Sequence, residues 1–247
     1  MDSHDGSPHH GAHVLHHAWR SALKSLRANL IPGLILQFLM AFMGAAYLWH
    51  PGARRFFDGL GAIRTEWGFF FSFVGTSAAS AFLPELLRLV TRSKGQGDPQ
   101  GHGHGHGLAA RLLFAIPFWG LIGMQVDLFY RIQFWIFGPS ETFSVILRKV
   151  LVDAFLYCPL IAIPEAVAIF LWRDHGFTTR GFHGWTPGRF YALRIFPVLM
   201  ANWMVWIPLV TIIYSLPASL GVAFFIIAQS FWVMVFTTLS SSHAKKA

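Results

Sequence analysis

Acidic and basic side chains recur at helical spacing inside apolar stretches of this chain, and that pattern is where chemistry is most readily placed. Glu85 with Arg88, Asp127 with Arg131 and Lys149 with Asp153 stand three or four positions apart, the separation that brings two side chains onto one helix face. A charged group at membrane depth is costly, so it faces protein or water and takes a partner. Such pairs either tie helices together or line a path for polar solutes. Glu165 differs, because it follows Pro164 and has no basic residue within one turn. Its partner must come from another helix, or it must be protonated. Gln125, Gln133, Asn202 and Gln229 add uncharged polar groups on other apolar stretches. The residues expected to form a polar interior are Asp127, Arg131, Lys149, Asp153, Glu165, Gln125 and Asn202.

Histidine is the other candidate chemistry. Six histidines lie between His4 and His17, and Gly alternates with His102, His104 and His106 in Gly101–Gly107. Flexible His-rich tracts chelate divalent transition metals, but no acidic or thiol ligand accompanies them at fixed spacing. The expectation is a weakly chelating linker with no dedicated cofactor. A metal transporter would need ligands at membrane depth, and the histidines fall outside the apolar stretches. Asp174, His175 and His183 suggest hydrolysis, yet no nucleophile motif or metal-ligand spacing joins them, so an enzyme is not expected. Cys158, the single cysteine, reads as a small buried hydrophobe.

The elements that must carry these groups follow from composition. The 247 residues are 54% hydrophobic and 12% charged with a mean hydropathy of +0.49, against roughly 25% charged in soluble domains. Six stretches reach or approach the roughly 20 residues that cross a bilayer: 30–49, 67–90, 112–137, 150–172, 195–213 and 218–239. They are apolar on all sides rather than alternating, which predicts an all-α polytopic transmembrane helix bundle and not a barrel. Residues 1–29 form a His-rich tail, 30–49 an additional first span, and 67–239 a membrane domain interrupted by a His/Gly-rich loop at 93–110. No cleavable signal is evident before the first span. Trp49, Trp67, Trp135 and Trp172 mark span ends.

The net charge of +8 is scattered between spans, which excludes nucleic acid and makes the lipid bilayer the partner; a homo-oligomer stays open. Arg54, Arg55, Arg64, Arg148 and Lys149 fall on one side, and the more numerous remaining loop and tail cations on the other, which places both termini inside. Pro84, Pro117, Pro159, Pro164, Pro197 and Pro208 lie within spans and predict kinked helices, around a cavity or in a solid bundle. The run from Gly75 to Ala81 is rich in small residues and predicts close helix packing.

From the second span onward the chain resembles the Mpv-seventeen/22-kDa peroxisomal membrane protein family. Ala201 to Pro208, with Asn202, Trp203, Trp206 and Pro208, is similar to that family's N-W-K-x-W-P run; Pro217 and Trp232 follow near its later proline and tryptophan. Lys149, Asp153 and Pro159 match a K-x-x-x-D-Q step followed by proline, and Gly123 to Tyr130 resembles G-P-x-x-H-x-W-Y. Met124, Asp127, Ala154, Met204 and Ile207 depart from the pattern. The resemblance implies a small integral protein of the peroxisomal or mitochondrial inner membrane, or of the cytoplasmic membrane if the chain is bacterial. Some members of the family are described as weakly selective channels. The expected function is a channel-like protein for small hydrophilic solutes. The alternatives are a non-transporting scaffold or assembly factor, and a divalent-metal transporter or metal-gated pore.

Overall fold

The computed structural model describes residues 42–82, 108–138, 142–215, 224–230 and 232–233, with a few isolated positions before residue 42. Among the described residues the chain is helical, with no strand. Helix α1 spans Pro51–Trp67, and His50 caps it by accepting the Ala53 N–H at 3.2 Å on Nδ1. Pro51 starts the helix where its missing N–H costs nothing. Hydropathy alone reads this segment as a loop, because Arg54, Arg55, Asp58, Arg64 and Glu66 make it too polar to cross a bilayer. It is instead amphipathic: Phe57, Leu60, Gly61 and Arg64, at i, i+3, i+4 and i+7, turn inward.

Gly68, at φ +54° and ψ −128°, breaks α1 from the apolar helix α2, Phe69–Phe82. No residue with a Cβ adopts that conformation readily, so the glycine sets the elbow. Three longer helices follow: α3, Leu108–Phe137; α4, Phe143–Asp174; and α5, Pro187–Tyr214. With 30, 32 and 28 residues, each is long and apolar enough to cross a membrane. Helix α4 begins seven residues before its expected start at Val150, because Phe143–Lys149 continues the amphipathic pattern through Arg148 and Lys149. Of the expected span 30–49, residues 42–49 are helical; most of the rest of it and much of 218–239 lie outside the described residues, as does Glu85 with Arg88.

Small residues bring α2 against α3. A Cβ built on Gly120 would run into the Phe73 ring, and one on Gly123 would overlap the Thr76 side chain. Thr76, Ser77, Ala79, Ser80 and Ala81 are buried, as the small-residue run predicts, and Ser77 Oγ donates to Ile116 O at 2.9 Å. Helices α3 and α4 pack antiparallel through the stacked Phe129 and Tyr157 rings, 4.0 Å between centroids, and the edge-on Phe118 and Phe170. Trp203 of α5 lies against Phe155 of α4. The helical residues 224–230 close onto this core, with Phe225 beside Tyr130 and Trp206.

Three segments depart from α winding, while Pro117 and Pro208 lie within α-helical stretches. Ala78–Phe82, Asp153–Ala162 and Tyr191–Ile195 are π-helical, in which each N–H reaches back five residues rather than four. In that register Pro159 leaves the Ala154 carbonyl without a donor, and Pro164 leaves the Pro159 carbonyl. These two carbonyls receive side chains from α5: Trp203 Nε1 donates to Ala154 O at 2.7 Å and Tyr191 O–H to Pro159 O at 3.0 Å. In the segment Ala78–Phe82, Ala79 O accepts Ser230 Oγ at 3.1 Å. A freed carbonyl must find a donor when buried, and Ala154 O and Pro159 O find theirs on α5. Trp203→Phe is therefore expected to cost about 1–3 kcal/mol in reversible detergent unfolding. In a Pro159→Ala background, where an amide N–H is restored, the same substitution should cost clearly less; an equal cost in both backgrounds would rule out this role for the indole.

Candidate functional site

Two polar clusters occupy the bundle. The first centres on Asp127 of α3, whose side chain is only 4% exposed. Its Oδ1 accepts Arg64 Nη2 at 2.9 Å and Arg131 Nε at 3.2 Å, while Oδ2 accepts Ser72 Oγ at 2.7 Å and Arg131 Nη2 at 3.2 Å. The expected partner Arg131 is present, one turn along α3. Arg64 and Ser72 escape the sequence pattern because they arrive across the Gly68 elbow. Their spacing, Arg64–Gly68–Ser72, was the available signal. Arg131 also lies over the Phe69 ring at 4.6 Å. Four donors fill this carboxylate's accepting positions, so the cluster clamps α1, α2 and α3 together.

The second cluster lies where α3, α4 and α5 meet. Asp153, 6% exposed, accepts Tyr214 O–H at 3.0 Å on Oδ2 and the Cys158 thiol at 3.4 Å on Oδ1. Gln133 Nε2 donates to the same Tyr214 oxygen at 3.0 Å. Lys149, buried, holds its Nζ 6.0 Å from the Tyr214 ring centroid and 5.6 Å from that of Phe134. The π winding places Asp153 and Cys158, five residues apart, on one side of α4. Gln133 Oε1 is buried and lacks a hydrogen-bond partner among the described residues, whereas Asn202, also buried, sets its side chain against the Cys158 thiol. Tyr214 and Gln133 complete the cluster, and Cys158 has a polar neighbour where a plain hydrophobe was expected.

The expected polar interior is thus divided. Asp127 and Arg131 belong to the clamp, and Lys149, Asp153 and Asn202 to the second region. Gln125 and Glu165 are half-buried, and neither joins either cluster by a hydrogen bond. Of the motif residues, Gly123 seats Thr76, Tyr130 meets Tyr214 edge-on, and Pro159 and Trp203 form the carbonyl arrangement. Trp206 packs on Trp232, and Pro208 lies inside α5. His102, His104, His106 and Pro217 lie outside the described residues; among those described, no group of three metal-ligating side chains gathers. Asp174 pairs with Arg173 at 2.6 Å and His175 Nδ1 lies 2.9 Å from Leu171 O, so the two do not form a couple.

The fold defines an all-helical protein with three helices of membrane-crossing length and apolarity. No family model matches the chain, and neither a curated protein nor a solved structure matches it.

Proposed function

We propose that the chain is a polytopic membrane protein that lets small hydrophilic solutes enter and pass its interior beside Asp153. The observation that carries this reading is the Asp153 chain itself: a buried carboxylate among three helices, with an accepting position left open at Gln133 Oε1. Polar groups of that kind at membrane depth hold water or a polar solute when two or more converge. The motif resemblance between residues 67 and 238 points the same way, since channel-like members occur in that family. The six-span topology with both termini inside belongs to this proposal. Asp127, whose acceptors are occupied, is assigned to architecture and not to the path.

Reconstituted in liposomes, the protein is expected to release small polar or charged solutes faster than protein-free vesicles do. Asp153→Asn, which keeps an acceptor for Tyr214 O–H, should change that rate severalfold while helix content stays constant. Release and conductance equal to those of empty membranes across pH and voltage would overturn the reading. The closed Asp127 clamp favours a second reading, a non-transporting scaffold, for which a stoichiometric partner recovered from native membranes is the expected result.

A further inference from the structure

We propose that the start of α5 holds an anionic phospholipid headgroup between Arg189 and Arg194. Both guanidinium groups lie against one indole: Arg189 Cζ is 5.6 Å and Arg194 Cζ 5.2 Å from the Trp185 ring centroid. Phe190 packs edge-on against the same ring at 5.8 Å and fixes it. Arg189 belongs to the helical turn Pro187–Phe190 and Arg194 to the π-helical Tyr191–Ile195 that continues it.

Depth and charge identify the ligand. Arg194 is the last charged residue of α5, whose remaining 20 residues, 195–214, hold no Asp, Glu, Lys, Arg or His. Such a run matches the hydrocarbon thickness at 1.5 Å per residue, so Arg194 sits at its boundary, where lipid phosphates lie. It is half-buried, and a guanidinium at that level needs a counter-charge. Among the described residues neither Arg189 nor Arg194 makes an ion pair, and Asp174 at the same end is taken by Arg173. The chain has no acidic residue from 175 to 247. Arg180, exposed in the short 3₁₀ turn Thr179–Phe182, adds to the positive field. Planar forks of this kind suit phosphate oxygens better than an ammonium does. Trp185 belongs at the interface beside them.

The test is native mass spectrometry of the full-length protein in detergent, titrated with phosphatidylglycerol, phosphatidylcholine or inorganic phosphate. Phosphatidylglycerol should be retained at one per chain in preference to phosphatidylcholine. The Arg189→Gln/Arg194→Gln variant should need about tenfold more lipid for half-occupancy, as expected for the loss of charge-assisted contacts. Arg54→Gln/Arg55→Gln on α1 should leave retention unchanged. Where the glutamine variant does not fold, Arg189→Lys/Arg194→Lys, which keeps the charge and loses the fork, should still weaken retention. Equal retention of both lipids, equal loss in the α1 variant, no change in the lysine variant, or displacement by inorganic phosphate at matched concentration would each overturn the assignment.

Discussion

Asp127→Ala should lower stability by about 3 kcal/mol, measured by reversible unfolding in mixed detergent. The substitution removes the shared acceptor of two arginines and a serine, leaving Arg64 and Arg131 side by side without the charge between them. The arginines are not equivalent. Arg131 is 47% exposed and lies one turn away on the same helix, where such pairs contribute about 0.5 kcal/mol. Arg64, 30% exposed, joins α1 to α3. Arg64→Ala should therefore cost more than Arg131→Ala and should release α1, read as faster amide exchange over Pro51–Trp67. Equal costs for the two arginines, or a small cost for Asp127→Ala, would mean that the carboxylate is solvated and holds nothing.

The second large effect is steric. Gly123→Val should cost about 3 kcal/mol and lower the yield of folded protein, because even a Cβ at this position overlaps the Thr76 side chain. Helix packing of small residues offers no slack here, since Thr76 is 1% exposed and backed by α2. Gly59, where an added Cβ meets nothing within 4 Å, provides the control: Gly59→Ala should be neutral or slightly stabilising by helix propensity. Thr76→Gly in the Gly123→Ala background should recover stability lost by Gly123→Ala alone. Without that recovery, the clash is not the cause.

Apolar length and the small-residue run made the helical class and the α2 packing face legible, since both depend on local composition. The start of α4 and the existence of α1 were not legible from hydropathy, because amphipathic helices score as loops when half their surface is charged. At the sites, spacing found Asp127 with Arg131, since i to i+4 contacts are written into one helix. It missed Arg64, Ser72 and Tyr214, which reach their carboxylates from 63, 55 and 61 positions away. Treating the acidic residues as one interior failed to separate them, because apolar sequence gives no register between helices. The prolines predict kinks; around Pro159 the fold shows i→i+5 winding, whereas Pro117 and Pro208 lie within α-helical stretches, a difference set by the donors that α5 brings to α4.

That winding bears on how the chain enters a bilayer. Helix α4 alone does not satisfy its own backbone: Ala154 O and Pro159 O are completed by Trp203 and Tyr191, both beyond the turn. A carbonyl bare in hydrocarbon costs several kcal/mol, so a solitary α4 would present two such defects to lipid. The smallest lipid-compatible unit in this part of the chain is the α4–α5 hairpin, not the single helix. Translocation machinery that released α4 before α5 had emerged would be releasing an unfinished object.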